Sequence, residues 1–240
     1  MLTVESISAG YGKLQILNDI SLVAEEAKVT VVVGPNGSGK STLLKTIAGL
    51  TTIYQGKVTF DGETISKLPS HEIVRKGLAY LPQTESVFTQ LTVAENIRMS
   101  AYTVAKTDYS SRLKSSLEVF PQIEGYMSTK VQNLSGGERQ MVAMVMALMR
   151  NPRVIMFDEP TANLSPKLSN QVLKTIASLT KERHITVVLV EQNAKRALEM
   201  GDRACLLVGG KKVFDGTARD LLSHQELAQM YLGLKTAQAS

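Results

Sequence analysis

Tryptophan is absent from the 240 residues, cysteine occurs once and histidine three times. Each scarcity removes a class of chemistry. The lone Cys205 has no partner for an intramolecular disulfide, which excludes a small scaffold held by bridges. His71, His184 and His224 lie far apart without metal-ligand spacing, so no zinc site is expected. Long apolar runs are lacking too: Met141 to Met149, the longest, has nine residues, about half of what a membrane-spanning helix needs. The opening residues Met1 to Glu5 carry neither the basic start nor the apolar core of a secretory signal, so a cytoplasmic location is expected. Lys and Arg number 27 against 22 Asp and Glu, but they are scattered and do not interleave with the few aromatics. The net charge of +5 therefore reads as a solvated surface, and no nucleic-acid partner is expected.

What is present is ordinary globular composition, 43% hydrophobic and 20% charged, enough to bury a core. Leu2 to Ile7, Leu17 to Val23 and Val29 to Val33 read as short strands, and Gly39 to Leu50 has helical periodicity. Lys57 to Phe60 reads as a strand entering a tight turn at Asp61-Gly62. Residues from about 84 to 150 read as a helical stretch, with capping boxes at Thr92/Glu95 and Ser135/Glu138. After it, Val154 to Phe157, Pro166 to Lys181, Ile185 to Val190, Asn193 to Met200 and Ala204 to Val208 alternate between strand and helix, which predicts an α/β fold with a parallel sheet covered by helices. Gln225 to Leu232 reads as a short helix, and Gly233 to Ser240 as a frayed tail. No linker or repeat divides the chain, so residues 1–240 are expected to form one domain with subdomains.

The sharpest motif is Gly34-Pro35-Asn36-Gly37-Ser38-Gly39-Lys40-Ser41-Thr42, the G-x-x-x-x-G-K-[ST] phosphate loop, placed after an apolar strand and before a helix. Its glycines let backbone N–H groups converge on phosphates, Lys40 reaches the outer phosphate oxygens, and Ser41 holds Mg²⁺. The apolar strand Val154 to Phe157 delivers Asp158 and Glu159 at its C-terminal end, where ligands sit in open α/β sheets. Asp158 is suited to holding Mg²⁺ through a water, and Glu159 to polarising the water that attacks the γ-phosphate. Leu134-Ser135-Gly136-Gly137-Glu138-Arg139-Gln140 has two readings. It is a helix cap, and it is also a set of uncovered N–H donors suited to an anion. These donors lie about 95 residues beyond the phosphate loop, so they suit the nucleotide of a second subunit.

The phosphate loop, Gln83, the LSGGERQ heptapeptide and the strand ending in Asp158-Glu159, in this order, resemble the nucleotide-binding subunit of an ABC (ATP-binding cassette) transporter. The resemblance covers nearly the whole chain. It implies a P-loop NTPase with a mainly parallel core sheet, an N-terminal antiparallel β subdomain and an inserted helical subdomain. It also implies a head-to-tail dimer holding two ATP molecules, each between one subunit's phosphate loop and the other's Ser135 and Gly137, with Gly136 beside them. By the same resemblance Tyr11 stacks on adenine, Gln83 links Mg²⁺ to the membrane subunits, and Glu159 is the catalytic base, helped by Lys40 and Gln192. The implied cofactors are ATP and Mg²⁺. The implied partners are a second cassette, two transmembrane permease subunits and, indirectly, an extracytoplasmic solute-binding protein, with the chain peripheral on the inner face of the membrane.

Two positions depart from the family's usual pattern. Ser165 stands where an aspartate usually ends the dimer-contacting loop, although Ser165-Pro166 still makes a good helix start. Gln192 stands where a histidine usually meets the γ-phosphate; its amide donates a hydrogen bond but cannot become cationic. These departures, with Glu191-Gln192-Asn193 and Met230-Tyr231-Leu232-Gly233, are similar to the second ATPase of branched-chain amino acid importers, and related importers of urea and other amides share much of the pattern. Two further readings are a weakly hydrolysing regulator and a non-transport ATPase on DNA or ribosomes. Only about 50 residues separate Gln83 from Leu134, too few for the coiled coils of the DNA-repair relatives, and the ribosomal relatives carry two cassettes in one chain.

Overall fold

Val29–Val33 (β3), Val154–Asp158 (β7) and Thr186–Val190 (β8) are buried along their whole length, as befits strands covered on both faces. In the computed structural model, which describes residues 1–84 and 86–233, they form the centre of a six-stranded sheet. Leu78–Leu81 (β6) flanks β7 on one side, and Arg203–Val208 (β9) and Lys211–Thr217 (β10) complete the order β10-β9-β3-β8-β7-β6, parallel except for β10. The second sheet is antiparallel and made early in the chain. Leu2–Tyr11 (β1), Leu14–Ala24 (β2), Thr52–Phe60 (β4) and Glu63–Thr64 (β5) pair in the order β2-β1-β4-β5. Asp61 and Gly62 make the predicted β4–β5 turn with φ of 50° and 83°, the left-handed pair that suits the strands' twist.

Strand alternation sorts the core into two clusters. Val32, Met156, Val188 and Val190 face Lys40–Ile47 (α1), whose Leu43, Leu44 and Ile47 also meet Val4, Ile20 and Val58 of the antiparallel sheet. Val31, Ile155, Phe157 and Leu189 face the other way. They join a cluster with Gly136–Leu148 (α5), Pro166–Arg183 (α6) and Ala194–Met200 (α7) that continues into Val93–Ser100 (α3) and Lys106–Val119 (α4). The helical region and the sheet thus share one apolar cluster. Ser70–Arg75 (α2), Ala218–Ser223 (α8) and Gln225–Leu232 (α9) complete the α-helices of the described residues, and Pro121–Tyr126 and Val131–Asn133 are short 3-10 helices.

The structure changes one sequence expectation and adds elements that the sequence did not announce. The helical stretch expected from residue 84 begins only at Val93, because buried Asn96 takes the Phe88 N–H at 2.7 Å and donates to the Phe88 carbonyl at 2.9 Å, satisfying an irregular backbone in place of a helix. The strands β6 and β10 and the helices α2 and α8 were not expected. Of the tail expected to fray, Gly233 closes α9 in a left-handed conformation, and residues 234–240 lie outside the described residues. Both capping boxes are present, and Cys205 is a buried core residue whose thiol burial pushes up to about 12.

Candidate active site

β3 ends at Val33, and at Gly34 the chain must turn closely under β9: a Cβ at Gly34 would lie 2.0 Å from the Leu207 carbonyl oxygen. Gly39 then opens α1 in the left-handed region (φ 98°) with no capping side chain, leaving the first N–H groups of the helix for a ligand. Lys40 is buried and donates from Nζ to the Gly34 and Pro35 carbonyls, at 2.9 Å each. Burial lowers its pKa from the ordinary value, while the carboxylates of Glu159 and Asp158 oppose that shift. The hydroxyl of Ser38 is buried without a hydrogen-bond partner among the described residues, an unmet polar demand inside the phosphate loop.

β7 carries the two acids to the same place. The Asp158 carboxylate accepts from Ser41 Oγ at 2.8 Å through Oδ1 and from the Tyr80 hydroxyl at 3.0 Å through Oδ2. Burial, then the Asp158 charge, pushes the Tyr80 phenol well above its ordinary value, so it stays a donor. Glu159 has φ 50° while its N–H still bonds the Val190 carbonyl at 2.9 Å. A non-glycine residue in this region stores on the order of 1–3 kcal/mol, a strain found where function demands it. The Glu159 carboxylate accepts from Gln83 Nε2 at 3.0 Å.

A cavity of about 510 Å³ collects these groups. Of the residues chosen from the sequence, Tyr11, Asn36, Gly37, Gly39, Lys40, Ser41, Thr42, Gln83, Glu159 and Gln192 line it. Gly34, Pro35 and Ser38 form the loop behind, and Asp158 reaches the site through Ser41. Ser41, Asp158 and Gln83 offer hydroxyl, carboxylate and amide oxygens, a hard set that suits Mg²⁺, which fills its remaining positions with water and substrate phosphate. Sequence reasoning missed Ile16, which lies near the start of β2 in the β1–β2 hairpin and lines the cavity, and Tyr80, which arrives by the long-range β6–β7 pairing that no local pattern announces.

The LSGGERQ segment is not brought to this cavity. Ser135 caps α5, accepting from the Glu138 N–H at 3.4 Å while the Glu138 carboxylate accepts from the Ser135 N–H at 2.7 Å. The Tyr126 hydroxyl, then Ser135, hold the Glu138 carboxyl below its ordinary range. Gly136 instead lines a second cavity of about 490 Å³ with Arg139, Gln140 and Asn163, and Gln83 and Glu159 belong to both walls. The two glycines differ. A Cβ on Gly137 would sit 1.9 Å from Leu168 Cδ2 of α6, so packing inside the subunit favours a glycine there unless the Leu168 side chain moves. A Cβ on Gly136 would meet only Leu164 Cδ2, at 3.8 Å, so nothing in the subunit requires that one.

Glu191, at the end of β8, is a further acid the sequence left without a role. It is buried and accepts from the Thr161 N–H at 3.1 Å, tying the segment before Gln192 to the loop after Glu159. Burial raises its pKa, against the hydrogen bonds from Thr161 and the Gln192 backbone.

Comparison with known proteins identifies a family and relatives. The family model described as ABC transporter matches residues 17–162. A probable branched-chain amino acid transport ATP-binding protein of Archaeoglobus fulgidus is 47% identical, over 98% of this chain and 99% of its own length. A high-affinity branched-chain amino acid transport ATP-binding protein of Pseudomonas aeruginosa is 38% identical over 97% and 100%. A solved ATP-binding cassette, a dimer in a post-hydrolysis state bound to ADP and phosphate, superposes with a TM-score of 0.79 at 26% identity, over 91% of this chain and 99% of that one.

Proposed function

That the chain belongs to the ABC transporter family is the premise from which we propose that it is the ATP-hydrolysing subunit of an importer of branched-chain, hydrophobic amino acids. The cavity that gathers Tyr11, Lys40, Ser41, Gln83, Glu159 and Gln192 carries the reading of ATP hydrolysis. The substrate class rests on the near full-length likeness to the two branched-chain amino acid relatives.

ATP enters with its adenine on Tyr11 and its phosphates against the N–H groups opening α1 and the Lys40 ammonium. Ser41, Asp158 and Gln83 would hold Mg²⁺, which would supply charge that neutralises the phosphates. Glu159 accepts the proton of the attacking water as its oxygen bonds the γ-phosphorus and the bond to the ADP oxygen breaks. Gln192 gives the γ-phosphate a neutral amide donor.

The subunit works as half of a head-to-tail pair of cassettes, and Gly136 supports this: it lines a cavity, and no neighbour in the subunit requires its lack of a side chain. The same reading puts the docking surface for the membrane subunits at an apolar groove of about 330 Å³, because its walls join Tyr80 and Pro82, next to Gln83, to Met146 and Arg150 of the helical region. Through it the chain sits peripherally on the cytoplasmic face, with two permease subunits and, beyond them, a solute-binding protein.

The test is uptake of labelled leucine, isoleucine and valine in source cells lacking the gene, with a mild-detergent pull-down of the tagged chain. Uptake restored by the wild type and not by Glu159→Gln, with two polytopic membrane proteins and a second cassette recovered, is the expected result. Restoration of urea or amide uptake alone would reassign the substrate, and recovery of only soluble partners would overturn the transport reading.

A further inference from the structure

The Asp158 carboxylate is fixed by two hydroxyls from different parts of the fold, and one of them lies outside every motif. Ser41 belongs to the phosphate loop, whereas Tyr80 lies on β6, 78 residues away along the chain from Asp158. The strand register explains the meeting. Tyr80 pairs with Met156 in the parallel β6–β7 ladder, and Asp158, two residues further along β7, presents its side chain to the same face as Met156. Tyr80 and Asp158 are thus diagonal neighbours, a separation that a long aromatic side chain spans. Its hydroxyl reaches Oδ2 at 3.0 Å while Ser41 reaches Oδ1 at 2.8 Å. One bond on each oxygen stops rotation of the carboxylate about its own axis. The ring is held in turn, packing beside Met156 and Leu78 and forming part of the wall of the apolar groove.

We propose that Tyr80 is a positioning residue for the metal-holding carboxylate: its hydroxyl locks Asp158 in the orientation that presents Oδ1, beside Ser41, to the nucleotide's divalent cation. The inference rests on the reading of Asp158 as that carboxylate. A partner that orients a metal-holding group contributes on the order of 10–100-fold to metal affinity. Tyr80→Phe keeps the ring and its packing and removes only this bond.

The experiment is electron paramagnetic resonance titration of Mn²⁺ into the full-length chain saturated with ATP at low temperature, with ATP affinity measured separately in EDTA. For Tyr80→Phe, Mn²⁺ affinity is expected to fall roughly tenfold while metal-free ATP affinity stays within about twofold, which also reports an intact fold. Asp158→Asn is the reference. If it abolishes Mn²⁺ retention while Tyr80→Phe matches the wild type, the role given to Tyr80 is overturned and that of Asp158 stands. If neither variant changes Mn²⁺ affinity, the metal role of Asp158 is itself wrong, and the proposal falls with it. A Tyr80→Phe chain that loses metal-free ATP binding equally would make the hydroxyl a general structural element and also overturn the proposal.

Discussion

Three acids, Asp158 and Glu191 buried and Glu159 partly exposed, define the chemistry of single residues here, and they are not equivalent. Asp158 is saturated by hydroxyl donors, Glu159 is held off the strand path by a left-handed backbone and shared with Gln83, and Glu191 is shut away under Thr161. Glu191 makes a pH prediction with a definite sign. Its folded pKa lies above the ordinary 4.5, so the native state binds that proton more tightly than the unfolded chain. This residue's contribution to stability is therefore fullest below about 4.5 and falls as pH rises through the window up to the folded value. Glu191→Gln keeps an acceptor for the Thr161 N–H and removes the buried charge. The variant is expected to melt with the wild type near pH 4 and above it at pH 8, by calorimetry; a variant that melts lower at pH 8 would show that the charge itself holds the loop.

At the scale of elements, the start of α6 shows how a departure from the family pattern leaves the local structure intact. Ser165 caps the helix, its hydroxyl accepting from the Leu168 N–H at 3.4 Å, and Pro166 fills the first helical position. Ser165→Ala is expected to cost about 1 kcal/mol, a fall of about 2–4 °C in melting temperature, while Ser165→Asp, an equally good cap, stays within about 1 °C. A loss of similar size in both would show that the cap is not what Ser165 supplies. The same scale explains what the sequence could disclose. The phosphate loop, the apolar strand to Asp158-Glu159 and both capping boxes are local patterns, and the described structure has each at its place. The β6 strand is four residues long and owes its existence to β7, some seventy residues downstream, so neither it nor the meeting of Tyr80 with Asp158 had a local signature. Ile16 was missed for a different reason: β2 begins at Leu14, three residues before its alternation indicated. The early start given to the helical stretch failed because a buried Asn96 serves the backbone of Phe88, and an asparagine's bonding partner is not written in periodicity.

Across the whole molecule the account needs a second cassette, and Gly136 is the residue that separates the two scales. Its missing side chain answers no contact within the subunit, whereas Gly137 makes room for Leu168. Gly136→Ala is therefore expected to keep or raise the melting temperature, since alanine suits a helix better, yet to slow ATP hydrolysis by the assembled transporter roughly tenfold or more by covering a donor for the partner's nucleotide. Unchanged turnover in that variant would place the partner's phosphate contact elsewhere. The central claim, that this cavity hydrolyses ATP with Glu159 as the base, is tested most directly by the turnover of Glu159→Gln in the purified, membrane-reconstituted complex, read beside ATP binding to the same preparation. The predicted result is a fall of about 10²–10⁴-fold in hydrolysis with ATP affinity unchanged, and hydrolysis at the wild-type rate would contradict the account.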